Sequence, residues 1–114
     1  MQYLLLQYGN ETAMMSLPKE EAIQIHGAYM AYTEAMKKAG AYVGNSGLRP
    51  TSDAATVRAP GGKVSVLNGP FAETKEQLAG YYLIDVPDLD AALSWAKRHP
   101  AAAYGSIEVR PVWG

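Results

Sequence analysis

The chain has 114 residues, 48% of them hydrophobic and 18% charged, the size and composition of one folded domain around one core rather than of a disordered tail. Ten Lys and Arg against eleven Asp and Glu give a formal net charge of -1 with no basic stripe, so the attraction that drives nucleic-acid binding is missing and no DNA or RNA partner is expected. With no cysteine, disulfides, thiolate metal sites and a cysteine nucleophile are excluded, and a cytoplasmic location fits by default.

The opening stretch MQYLLLQYGN is too short, and lacks the basic start, for a secretory segment or a membrane span. Residues 2 to 8 read instead as a first strand buried on both faces, closed by Gly9-Asn10. Pro18 then opens a long helix with Ser16 upstream as its cap. Ala22, Ile25, Tyr29, Tyr32, Met36 and Ala39 recur at steps of three and four and form its core stripe. Glu20, Gln24, Gly27, Ala31, Glu34 and Lys38 form the opposite, mostly polar stripe, and Gly40 ends the helix. AYVGNSGLRP reads as a short strand, and ATVRAPGGKVSVLNG as a hairpin turning at Pro-Gly-Gly. GYYLIDV, residues 80 to 86, is a strand with Tyr81 and Tyr82 on opposite faces. After Pro87-Asp88 a second helix follows, with Leu89, Ala92, Leu93 and Ala96 inward and Pro100 as its stop. In SIEVRPVW, Ile107 and Val109 alternate with Glu108 and Arg110, as in a half-buried strand.

This order predicts an α+β fold: a ferredoxin-like split βαβ with an inserted hairpin and both helices on one face of an antiparallel sheet. The other face needs cover, which a domain of this size finds in a second copy, so a homodimer with sheets face to face is expected.

Four stretches carry a family resemblance: MQYLLLQYGN, YMAYTEAMKKAG, NGPFAETKEQLAGYYLIDVPDLDAALSWAKRHP and GSIEVRPVW. Together they resemble the YCII-related family, in the branch called DGPF proteins, over nearly the whole chain. The resemblance implies one domain spanning residues 1 to 114, a ferredoxin-like protomer and a dimeric α+β barrel enclosing pockets between sheet and helix. It also implies an association of some members with extracytoplasmic-function sigma factors, and a His/Asp pair suggested as catalytic in the YCII type. Two positions depart from the pattern: Asn68 stands where the branch has Asp, and Tyr104 where a His precedes Gly-Ser-Ile-Glu. Both changes remove a titratable group.

Asn68-Gly69-Pro70 reverses the chain cheaply and delivers Phe71 to a packed site. Alternatively, the same turn holds Asn68, Glu73 and Lys75 at the mouth of a pocket. His26, at the border of the apolar stripe, is the better of the two histidines for proton transfer, and its plainer reading is a boundary or interface residue. His99 beside Pro100 is expected to meet free carbonyls at the helix end. Tyr29, Tyr32, Tyr81 and Tyr82 either line a pocket or pack at an interface, and Arg49 either grips a carboxylate or forms an exposed ion pair. No phosphate loop, G-x-G-x-x-G, H-E-x-x-H or G-x-S-x-G pattern occurs, so no nucleotide or metal cofactor is expected. The expectation is a binder of a small polar molecule or a cofactor-free acid/base enzyme. His26 and Glu73 would move protons, and Tyr29, Arg49, Asn68 and Lys75 would bind the ligand. The alternatives are a regulatory accessory of a sigma factor and a dimer whose ancestral activity is lost.

Overall fold

The computed structural model describes residues 1–114. The chain runs β1 (Gln2–Gly9), α1 (Glu11–Met15), α2 (Lys19–Lys38), β2 (Tyr42–Gly47), β3 (Ala55–Arg58), β4 (Ser65–Asn68), β5 (Gln77–Asp85), α3 (Leu89–Arg98) and β6 (Ser106–Pro111). Four strands form one antiparallel sheet in the order β2-β5-β1-β6, the split βαβ arrangement, and β3 pairs only with β4.

Register decides which side chains reach the helices. Tyr3 opposes Ile84 and Leu5 opposes both Tyr82 and Val109, and because alternate residues share a face these form the floor of the core. Tyr32 and Met36 of α2 and Ala92, Trp95 and Ala96 of α3 close over it. The other face carries Leu4 opposite Leu83 and Leu6 opposite Tyr81. These residues are half-buried rather than buried, because no element of the protomer covers that face; β1 is sealed on one side only.

The turns after β1 differ from expectation. Asn10 accepts the Ala13 N–H at 3.0 Å and starts a short helix, α1, that the apolar pattern does not announce. Ser16 closes that helix, its hydroxyl donating to the Thr12 carbonyl at 2.7 Å, instead of capping the next one. Pro18 takes the N-cap position of α2 with no side-chain cap. The stripe of α2 is buried only at Tyr32 and Met36. Ala22 and Ala39 are exposed, since the first turns overhang the sheet and the last turn leaves it. On α3 the core residue absent from the expected stripe is Trp95, three positions after Ala92, whereas Leu89 overhangs the edge and is exposed. Asp88 caps α3 by accepting the Ala91 N–H at 2.9 Å.

The hairpin β3–β4 projects as an arm, with Val57 opposite Val66 and every residue of β4 exposed. The turn at its base behaves as the Asn-Gly-Pro signal requires, Gly69 having φ 103°. The expectation for Phe71 fails: its ring is 78% exposed, and the contact it makes is with the Arg58 guanidinium, 5.9 Å from the ring centre. The turn lies on the arm rather than on the four-stranded body, so no core is within its reach. The molecule is a slab of 47 × 41 × 19 Å, and none of its helices is long and apolar enough to cross a membrane.

Candidate functional site

A cavity of about 600 Å³ opens between α2 and the β2–β5–β1 part of the sheet. Its α2 wall follows from helix periodicity: His26, Met30, Thr33 and Lys37 recur at steps of three and four and so share one side. Its floor and far wall are built by Gln7 of β1, Asn45 and Ser46 of β2, and Tyr81 and Tyr82 of β5. Two register breaks shape this region, one between Gln7 and Tyr8 where β1 meets β5, the other between Tyr42 and Gly44 where β2 meets β5. Close backbone approach is kept possible by Gly80, where a Cβ would lie 2.8 Å from the Ser46 carbonyl oxygen.

Behind the cavity is an aromatic box. The ring of His99 lies 5.6 Å from Tyr29 and from Tyr82, edge to face in both cases, and 5.2 Å from Tyr32. Pro100 dictates this placement. The residue before a proline is driven out of the helical region, and His99 accordingly has φ -61° and ψ 130°. Its imidazole folds back to accept the Ala101 N–H on Nδ1 at 3.0 Å. The sequence expectation that His99 meets helix carbonyls is therefore corrected: the side chain caps the following turn and is only 3% exposed. Burial pushes its pKa down to about 4. An Nδ1 that accepts requires the proton on Nε2, so the neutral ring is a donor at Nε2.

Hydroxyl protons in the box follow from the same reasoning. Tyr32 donates to the Trp95 carbonyl at 2.7 Å. Thr33 donates to the Tyr29 carbonyl at 2.8 Å, which consumes its single proton; in the 2.6 Å Thr33–Tyr82 contact Tyr82 is the donor. Burial, followed by the neighbouring Tyr82, pushes the Tyr29 pKa up to about 12, while the Gln7 amide draws it slightly down without reaching hydrogen-bonding geometry. Burial is also the leading cause of the upward shifts of Tyr32 and Tyr82. The Tyr29 hydroxyl and His99 Nε2 are the two buried side-chain polar atoms without a partner. At the rim, the Tyr42 hydroxyl donates to Asn45 Oδ1 at 2.6 Å.

Of the residues expected at a site, His26 and Tyr29 line the cavity. The other four lie elsewhere. Arg49 pairs with Asp53 at 3.0 Å on the surface, Asn68 ends β4 opposite Ala55, and Glu73 and Lys75 are exposed in the segment leading to β5. Asn45 was missed, and His99 was expected at the helix end rather than behind a cavity. The signal for His99 was its position before Pro100, which foretells a residue turned out of the helix but not one turned into the core. No three His, Cys, Asp or Glu side chains gather closely enough to hold a metal ion.

Comparison with known proteins places this geometry in context. The whole chain, residues 1–114, matches the YCII-related domain. An uncharacterized protein of Rhizobium meliloti (strain 1021) is 41% identical over 114 residues, covering 98% of this chain and 92% of its own. The fold is similar to that of 5-chloro-2-hydroxyhydroquinone dehydrochlorinase from Burkholderia phenoliruptrix AC1100, solved in complex with 2,5-dihydroxybenzoquinone, with a TM-score of 0.56 at 14% identity, covering 100% of this chain and 94% of that one.

Proposed function

Starting from a chain that belongs to the YCII-related family, we propose that it binds a small polar molecule in the cavity between α2 and the sheet and acts on it by acid/base chemistry without a cofactor. One observation carries the reading: a cavity of about 600 Å³, within the usual size of small-molecule sites, whose polar lining backs onto two buried, unpartnered polar atoms, the Tyr29 hydroxyl and His99 Nε2. Buried polar groups are normally paired, and such groups beside a cavity mark a place where a ligand supplies the partner. His26, an exposed imidazole in the cavity lining, is of the side-chain type most often used to move protons and is assigned that role there. A neighbour of the same fold acts on a chlorinated hydroxyhydroquinone, so hydroxylated rings head the panel to be tried. Within the family, the NGPF turn at Asn68 favours the DGPF-type branch.

The assembly that goes with this reading is a homodimer, formed over the uncovered sheet face of Leu4, Leu6, Tyr81 and Leu83. The binding claim is tested by thermal shift of the purified protein against a panel of hydroxylated aromatics and quinones. A ligand at about 100 times its dissociation constant stabilises the fold by roughly 2.7 kcal/mol. The expected result is a shift that Met30→Trp, which fills the cavity from an exposed position on α2, abolishes. A panel without a single shift, or a shift that Met30→Trp leaves intact, removes the cavity as the site.

A further inference from the structure

Two surfaces of the protomer, both apolar and both uncovered, belong together: we infer that the β3–β4 arm of one copy of this chain packs on the outer stripe of α2 of a second copy, reciprocally, and roofs the cavity there. The contact stands on the two surfaces and not on what the cavity binds.

The first surface is one face of the arm. Alternate residues share a face, so Ala55 and Val57 point to the same side, and Val66 stands directly across from Val57. Val57 is 63% exposed, and Val66 and the nearby Val64 are exposed as well. Arg58 alternates to the opposite face, where its guanidinium lies over the Phe71 ring. One side of the ribbon is therefore aliphatic and has nothing beneath it, the kind of surface that marks an interaction site.

The second surface is on α2. Glu20, Ile23, Gly27, Met30 and Glu34 follow at steps of three and four, so they share one side of the helix, and all five are exposed, Ile23 by 61%. Gly27 is the informative member. Glycine in a helix interior is destabilising relative to alanine, and a Cβ here would meet nothing within 4 Å, so packing within the protomer does not call for it. A ribbon laid across the helix between Ile23 and Met30 does, because the missing side chain lets it approach the backbone.

The surfaces match in length and in charge. Ile23 to Met30 is about 10 Å of helix, and Ala55 to Arg58 about 10 Å of strand. Arg58 and Lys63 flank the turn of the arm, which has no acidic residue from 55 to 68, whereas a glutamate closes each end of the stripe. None of these four charged side chains is in an ion pair within the protomer. Arm and stripe leave each other exposed in one chain, so the occupant is a second copy, and a twofold arrangement covers both surfaces of both chains at once. Only side chains on one face of the ribbon meet α2, and the outer edges of the arm stay unpaired. Met30 and Glu34 also line the cavity, so an arm lying on them gives the site an aliphatic roof from the partner and excludes water from it.

The chain has no cysteine, so thiols can be set where the test needs them. The double variant Ile23→Cys/Val66→Cys, treated with a short bismaleimide, is expected to give a covalent species of twice the chain mass. Its yield should exceed by about tenfold that of the control Lys97→Cys/Val66→Cys, whose other thiol sits on the exposed side of α3. Adding Gly27→Arg, which the protomer accommodates without a clash, should leave thermal stability unchanged and cut the yield about fivefold. A yield no higher than that of the control overturns the contact, as does a link within one chain, which runs at the protomer mass. A yield that Gly27→Arg leaves unchanged also overturns it, since the arm then lies elsewhere. Failure of the cavity to bind any ligand would sink the functional reading and leave each of these results as decisive as before.

Discussion

His99 shows how a single residue can be read locally and still be misplaced. Its neighbour Pro100 makes the backbone turn predictable, but nothing within several residues tells that the turned side chain lands among Tyr29, Tyr32 and Tyr82, which arrive from α2 and β5. Tyr29 and Tyr32 were legible as a pair on one helical stripe, and Tyr81 and Tyr82 as residues on opposite faces of one strand, with nothing to say which of the two faces inward. What could not be read was that all three converge on one imidazole. The convergence has a measurable consequence. His99 is neutral in the fold, with a pKa of about 4 against an ordinary 6.5, so the unfolded chain binds its proton more readily. Its contribution to stability is complete above about pH 6.5 and is lost as the pH falls toward 4. The whole window is worth about 3 kcal/mol at 1.36 kcal/mol per pKa unit. Urea unfolding at pH 7 and pH 4 should show that loss, and His99→Phe should lose correspondingly less; an equal acid sensitivity in the variant contradicts the assignment.

At the level of elements, periodicity located both long helices and all six strands, and the β6 alternation placed Ile107 and Val109 against the core as read. It failed where short-range polar chemistry sets the structure. Helix α1 exists because Asn10 caps it and because Glu11 accepts from both the N–H and the hydroxyl of Thr51 at 2.7 Å, contacts forty residues apart that carry no apolar pattern. The Asn-Gly-Pro signal was also read correctly as a turn and wrongly as a delivery of Phe71 to a core, since a turn's geometry is local and its destination is not. The arm it belongs to is an isolated two-stranded hairpin, a form only marginally stable in water. Its amides from Ala55 to Asn68 are therefore expected to exchange hydrogen far faster than those of β1 and β5, as mass spectrometry of deuterium uptake would report. Protection of the arm equal to that of β1 would mean that something covers it.

For the molecule as a whole, thickness is the governing quantity. A slab 19 Å deep holds one helix layer on one sheet, and only 15 of its 114 residues are buried, so the protomer has little interior of its own. Leu4 and Leu6 opposite Leu83 and Tyr81 form a contiguous apolar surface on the open side, the kind of patch that marks an interface. The sequence predicted this from fold logic alone, because a sheet with both helices on one side leaves the other wanting cover. Light scattering after size exclusion should give twice the protomer mass, and Leu4→Lys, which sets a charge in the centre of the patch, should shift the population toward the protomer. A protomer mass at every accessible concentration would contradict the homodimer.

The register break between β1 and β5 bears on how such a site can be lost. Gln7 opposes Gly80 and Tyr8 opposes Leu78, leaving Ala79 without a counterpart. That unpaired residue is part of the cavity wall, and its carbonyl receives the Leu48 N–H at 2.8 Å. Shortening the chain by this one residue would let the ladder close into a regular pairing and would remove a wall residue together with its bond from Leu48. A pocket wall that depends on a bulge is thus open to loss by deletion of a single residue as well as by a bulky substitution.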